Sequence, residues 1–469
     1  MTLTADRPAA AAGPAPAPAP AAPAPTPAPT RDGAIDLVRA ACLVVVFVLH
    51  ALMVGVSMGP DGPVLENALE GWAWFAPATW VVQIMPLFFV VGGYAGWTSW
   101  QRTRARGGTA TEFVRGRIAR LVRPAIALIA VVGAALAALA LAGVAPDVVA
   151  TASFRIGQPL WFLAVYLACT ALVPAMVRLH ERMPRVALAG LAVAVVAVDV
   201  LRASTGVEAV GFANLLFVWL LMQQLGFHLA DGSVDRVAAR SRRWIAASAL
   251  GALALLTLAG PYSPDLFANL NPPTLVLVVL GVVQLMLFSL ARAALRRWAA
   301  RPVLSRLVAR FGEWGMTLYL WHLPAFVGLA AILLVLHGVV GFGLPEPLTA
   351  AWWQTRPLWL VTAAVVTAGL VRVFARFERG SRVRRPSWMP HLPAGAAVVA
   401  GILGVGMALV VGFAPAPAIA ALGLLGVALV GSAERAGRPG TAIMDGCALA
   451  PVGGRPRRSA PPVRVERGS

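Results

Sequence analysis

The chain has 469 residues, 59% of them hydrophobic and 13% charged, with a mean hydropathy of +0.76, which excludes an ordinary soluble domain of this length. Every Lys/Arg position behind its formal charge of +19 is arginine, and nearly all lie in short segments between apolar runs, where membrane topology accounts for them without nucleic acid. Cys42, Cys169 and Cys447 fall in two separate apolar segments and a tail, giving neither a disulfide framework nor metal-ligand spacing.

In chain order, residues 1–30 read as a disordered tail, because 8–29 are Pro/Ala low complexity with no core and no signal-peptide layout. Ten apolar runs then reach the length needed to cross about 30 Å of hydrocarbon: 34–56, 79–97, 124–144, 159–177, 186–201, 211–229, 244–260, 274–291, 315–339 and 357–374. The even-numbered connections between them (98–123, 178–185, 230–243, 292–314, 375–391) carry 25 Arg, whereas the odd ones carry 3. That alternation supports the helix count and places the N-terminus in the cytoplasm of a multi-pass cell-membrane protein. Two further runs, 392–412 and 417–431, flank Pro415 and read as an additional transmembrane hairpin over 392–431, followed by a disordered basic cytoplasmic tail over 432–469. The predicted fold is therefore an all-α polytopic membrane protein, a ten-helix bundle over 31–380 plus this hairpin.

The first run holds RAACLVVVFVLH, in which Arg39 and His50 are eleven residues apart. On a helix that is almost three turns, so both share one face about 16 Å apart. Asp36 lies on the same face, placed to pair with Arg39. An ionisable group inside a bilayer is costly and marks a reaction centre or substrate path, and a neutral imidazole suits a general base near neutral pH. The competing structural reading makes His50 an interhelical hydrogen-bonding residue and Arg39 an interfacial anchor.

The second run ends in MPLFFVVGGYAGW, where Gly92 and Gly93 permit close approach of another backbone. The loop after it ends in RGRIARLVRP; Arg117, Arg120 and Arg123 recur every third residue and either grip phosphates or simply mark the cytoplasmic side. Trp161 and Phe162 open the fourth helix as an aromatic belt. Asp199, His228 and His337 sit at helix ends, where no special role is required. In GMTLYLWHLP, Tyr319 and His322 share a face, and Pro324 frees a carbonyl near residue 320. No nucleophile elbow, phosphate loop, dinucleotide fingerprint or His/Cys metal cluster is legible, so any chemistry rests on histidine.

Five motifs in order, Arg-x10-His, Phe-Phe-x-x-small-Gly-Tyr, the Arg-rich run ending in Pro, Pro-Leu-Trp-Phe-Leu and Leu-Tyr-Leu-Trp-His, resemble the integral-membrane acyltransferase-3 family over about residues 31–380. The resemblance implies transfer of an acyl group, often acetyl, from acyl-coenzyme A to a hydroxyl of an envelope glycan, glycolipid or secondary metabolite. It implies His50 as the catalytic histidine with Arg39 as partner, and Arg117, Arg120, Arg123, Tyr319 and His322 toward the donor. Acyl-coenzyme A is the donor substrate, no further cofactor or metal is implied, and the partners are a hydroxylated carbohydrate, lipid or metabolite and the membrane lipids. Gly92 stands where the family commonly has serine. The rival class is a carrier or exporter of a lipid-linked glycan or metabolite, weakened by the lack of an inverted repeat.

Overall fold

The computed structural model describes residues 32–59, 62–378 and 392–433. The N-terminal tail expected over 1–30, and the basic tail expected over 432–469 except its first two residues, lie outside the described residues. Helix α1 (Gly33–Met53) runs into an antiparallel hairpin of β1 (Val54–Gly59) and β2 (Gly62–Asn67). There follow α2 (Phe75–Val82), α3 (Met85–Ala105), α4 (Ala110–Leu141), α5 (Pro146–Gly157), α6 (Leu160–Arg182), α7 (Pro184–Thr205), α8 (Glu208–Gly211), α9 (Asn214–Ala230), α10 (Ser233–Arg236) and α11 (Ala239–Leu258). The chain closes with α12 (Leu275–Ala299), α13 (Pro302–Val340), α14 (Ala350–Glu378), α15 (Ala394–Val410) and α16 (Pro415–Gly431).

The protein is a helical multi-pass membrane protein. Among the described residues, nine helical stretches are long and apolar enough to cross a bilayer. The tenth expected run, 244–260, falls in the 20-residue α11, which packs on α12; Arg240, Arg242 and Arg243 at its start lower its hydropathy. Helix α1 stops at Met53 rather than at 56, because Val54-Gly55-Val56 enters the small hairpin, where β-branched residues pack better than on a helix. Residues 98–123, expected as a loop, are almost wholly helical. The capping box of Thr109 and Glu112 starts α4 at Ala110, so α3 and α4 both project past the apolar zone and only Arg106–Thr109 turns between them.

Glycine decides the closest helix contact. A Cβ on Gly93 of α3 would lie 2.3 Å from the Gln223 carbonyl of α9, and one on Gly226 of α9 would lie 2.1 Å from the Val90 carbonyl of α3. The pair lets α3 and α9 touch backbone to backbone. Gly92 is different: a Cβ there would meet only Tyr166, at 3.8 Å. Helices α15 and α16 pack on each other and on α4 and α6, and fully buried Phe413 at their turn belongs to the main core. Arg115 of α4 donates to the Leu392 carbonyl at one end of this hairpin, and Ser153 of α5 accepts from the Phe413 N–H at the other.

Candidate active site

Helix α1 is held in place at its first residue. Asp32 caps it, its carboxylate accepting from the Ala34 N–H at 3.0 Å, and also takes Arg292 at 2.7 and 2.9 Å and Arg296 at 2.6 Å. Burial alone would raise the Asp32 carboxyl, but the bonds from Arg296 and Arg292 override it and hold the group at about 2. Arg292 bonds Asp235 as well, at 2.8 Å. This buried cluster ties α1 to α12 and α10, and so sets the axial position of Arg39. An ion pair of α1 lies about two turns before Arg39, at Asp32 with Arg292 and Arg296.

A cavity of about 500 Å³ opens beside Arg39. Its arginine-rich end is formed by Asp32, Arg39, Arg102, Arg117 and Arg120, and its deep end by Val46, Met85 and Tyr319. The lining of α3 alone, from Met85 to Arg102, extends about 25 Å at 1.5 Å per residue. One end therefore offers guanidinium groups to an anion, and the rest is an apolar and aromatic channel. Its wall is a stack of rings: Phe162 lies 5.3 Å from Phe88, 5.5 Å from Tyr166 and 4.8 Å from Tyr319, between centroids. Phe162 is buried in this wall rather than placed in an interfacial belt, because α6 begins inside the bundle, where the Tyr319 hydroxyl donates to the Pro159 carbonyl.

His50 continues the face of α1 that lines the cavity at Arg39, Leu43 and Val46. Its Nδ1 lies 2.7 Å from Nε2 of His322 on α13, and His322 Nδ1 lies 2.5 Å from the Tyr319 carbonyl. A carbonyl only accepts, so His322 Nδ1 carries the proton and its Nε2 presents the lone pair. His50 Nδ1–H then donates to it, which leaves the lone pair of His50 on Nε2. The two rings are parallel, with 4° between planes, and the fully buried His322 is fixed by its own backbone. The carbonyl used is that of Tyr319, not the one near 320 that Pro324 frees.

The structure thus brings together the expected residues of three helices, α1, α4 and α13. Arg39, Arg117, Arg120 and Tyr319 line the cavity, and His50 and His322 meet one helical turn past its deep end. Arg117 also donates to Ser99 at 2.5 Å and lies over the Phe113 ring, and Arg120 donates to the Gly312 carbonyl at 3.4 Å. Arg123 is not part of the lining. A three-residue repeat slips about 60° per step on an α-helix, so Arg123 points about 120° away from Arg117. His322 sits behind His50, against its backbone anchor, and does not reach the arginine-rich end where an anion would lie.

Sequence reading missed Asp32, Arg292, Phe162 and Tyr166 as parts of this site. Asp32 did carry a signal, an Asp-Gly immediately before an apolar helix. Asp199, expected at a watery helix end, is instead buried and accepts from Asn214, Tyr262 and the Leu275 N–H. His337 caps α13 by bonding the Phe342 carbonyl at 2.7 Å.

A family model for an acyltransferase domain, that of the acyltransferase-3 family, matches residues 32–376, well over half of the chain. No curated protein and no solved structure matches it.

Proposed function

Because the chain belongs to the acyltransferase-3 family and is a membrane acyltransferase, we propose that it transfers an acyl group, such as acetyl, from acyl-coenzyme A to a hydroxyl of an envelope glycan, glycolipid or secondary metabolite. The observation that carries this reading is the hydrogen-bond chain from the Tyr319 carbonyl through His322 to His50, which leaves one nitrogen, Nε2 of His50, as a base. The donor enters from the arginine-rich side, its phosphates facing Arg39, Arg117 and Arg120 and its thioester arm lying along the aromatic channel.

In the reaction, the acceptor hydroxyl gives its proton to His50 Nε2 as its oxygen attacks the thioester carbonyl. The tetrahedral intermediate collapses with cleavage of the carbon–sulfur bond, and the leaving thiolate takes the proton back from His50. While His50 is charged, its Nδ1–H still donates to His322 Nε2, so the pair stabilises the imidazolium without a second proton transfer. With 25 Arg in alternate connections, the arginine-rich side is read as cytoplasmic, which puts the N-terminus there too and the protein in the cell membrane. On the same reading the α15–α16 hairpin crosses and returns, since its ends are tied near opposite ends of α4.

The test is mass spectrometry of envelope glycans and secreted metabolites from cells with and without the gene. Loss of an acyl mass from one molecule, restored by the wild-type chain and not by His50→Ala, supports the reading. Relocation of an unmodified molecule overturns it in favour of a carrier.

A further inference from the structure

Away from the cavity, at the arginine-rich end of α6 and α9, three side chains converge that are far apart in the chain. His180 is in the last turn of α6, His228 in the last turn of α9, and Asp231 caps α9. One ligand atom from each lies within 4.8 Å of the others. His180 Nε2 stands 3.2 Å from Asp231 Oδ2, close to the separation of two ligands on one tetrahedral ion with metal–ligand bonds of about 2.0–2.1 Å. The His180 and His228 rings are 4.5 Å apart between centroids.

Two further features indicate that this cluster is not complete as it stands. Nε2 of His228 is sealed from solvent and has no hydrogen-bond partner, and neither has Oε1 of Gln224, whose amide nitrogen lies 2.7 Å from His180 Nδ1. A buried polar atom without a partner is destabilising unless something supplies the bond. When an imidazole binds a metal through Nε2, its Nδ1 carries the proton and needs an acceptor. A half-turn of the Gln224 amide presents Oε1 there. Asp231 is steadied by Ser233, which donates to it from both its backbone N–H and its hydroxyl. Ser233 Oγ also lies 3.3 Å from His228 Nδ1, so each of the three ligands has an outer partner beside it.

We propose that His180, His228 and Asp231 form a binding site for a divalent transition-metal ion, with zinc the best match, that clips the end of α6 to the end of α9. Two imidazoles and one carboxylate suit zinc, with water in the fourth position, whereas calcium and magnesium prefer all-oxygen shells. Loading moves the proton of His180 from Nε2, which now faces Asp231, to Nδ1, where the turned Gln224 amide accepts it. The site is separate from the acyl-transfer chemistry, and the ion takes no part in any step there. Forty-eight residues separate His180 from His228, which is why no ligand spacing is legible along the chain.

The test uses the full-length protein without a histidine tag, in detergent, stripped with a chelator and titrated with zinc. One zinc per chain is expected, with an unfolding temperature that rises with zinc concentration. His228→Gln and Asp231→Asn should each weaken zinc binding by ~10²-fold or more and abolish the rise, while His228→Gln, which loses no bond at Nε2 and one 3.3 Å bond from Nδ1 to Ser233, lowers the metal-free unfolding temperature only slightly. Cobalt in place of zinc should give intense visible absorption from a four-coordinate site in the wild type only, a readout independent of whether the variants are less stable. Less than one zinc per wild-type chain, or unchanged zinc affinity in both variants, overturns the proposal.

Discussion

The His50–His322 pair and the Asp199 cluster are both polar assemblies inside the bundle, yet they differ in what they leave unspent. Asp199 accepts from Asn214 Nδ2 at 2.9 Å, the Tyr262 hydroxyl at 2.9 Å and the Leu275 N–H at 2.8 Å, so both carboxylate oxygens are occupied by the protein itself. Burial and the neighbouring carboxylate push the Tyr262 hydroxyl well above the usual tyrosine range, so it remains a donor. In the histidine pair, by contrast, the bonds fix the tautomer and orientation of both rings and still leave His50 Nε2 with a lone pair. The first arrangement can only tie α7, α9 and the start of α12 together. The second holds a base in position for another molecule's proton. Burial of a polar group is thus no guide to function until its hydrogen bonds have been counted.

The distinction between a tie and a reacting group can be broken by mutation. The largest effect is expected at the strongest tie. Asp32→Asn leaves the Arg292 guanidinium buried with Asp235 alone and should cost about 3 kcal/mol or more of stability, measured by thermal unfolding in detergent. The pH dependence has a definite sign. Because Asp32 is held at about 2 in the folded chain, its stabilisation is fully present above the ordinary carboxylate value of ~4 and is lost as pH falls from there toward 2. The stability gap between wild type and Asp32→Asn should therefore be constant from pH 5 to 8 and close in acid.

His50→Ala should lower turnover by ~10²-fold or more while the protein remains inserted and abundant, the usual scale for loss of a general base. Asp199→Ala should do the reverse, lowering abundance and unfolding temperature while the rate per folded molecule stays near wild type. Equal losses of activity per folded molecule in the two variants would erase the distinction drawn here. A smaller effect is expected at Arg39, which lines the cavity beside Arg117 and Arg120. Arg39→Ala should raise the donor KM by ~10-fold, the worth of one charge-assisted bond, and leave kcat little changed. Arg39→Lys should recover part of that loss, because a point charge replaces a planar fork. An unchanged donor KM in well-expressed Arg39→Ala would remove it from the donor path. The smallest effect belongs to Tyr262→Phe, which deletes one bond of the Asp199 tie; about 1 kcal/mol of stability should be lost, with no change in rate.

By itself the sequence determined everything that depends on periodicity and on transfer from water to lipid. Apolar runs of bilayer length, the alternation of arginine between connections and the shared face of Arg39 and His50 are properties of single helices, and each can be read without knowing a neighbour. Helix ends were less legible, because Thr109 and Glu112 extend α4 well beyond its apolar stretch and Val54-Gly55-Val56 turns the end of α1 into a strand. Tertiary structure alone decided which polar groups meet. His50 and His322 are 272 residues apart, and Asp32 and Arg292 are 260 apart; nothing local in either member specifies its partner. Their meeting is set by how α1, α12 and α13 pack, and that depends on side-chain shape across helices and on close approaches such as Gly93 against Gln223, which a one-dimensional pattern does not encode. The same reason separates Arg117 from Arg123. Along the chain they look equivalent, but a helix rotates them to different faces, and only the surrounding bundle makes the face of Arg117 a cavity lining.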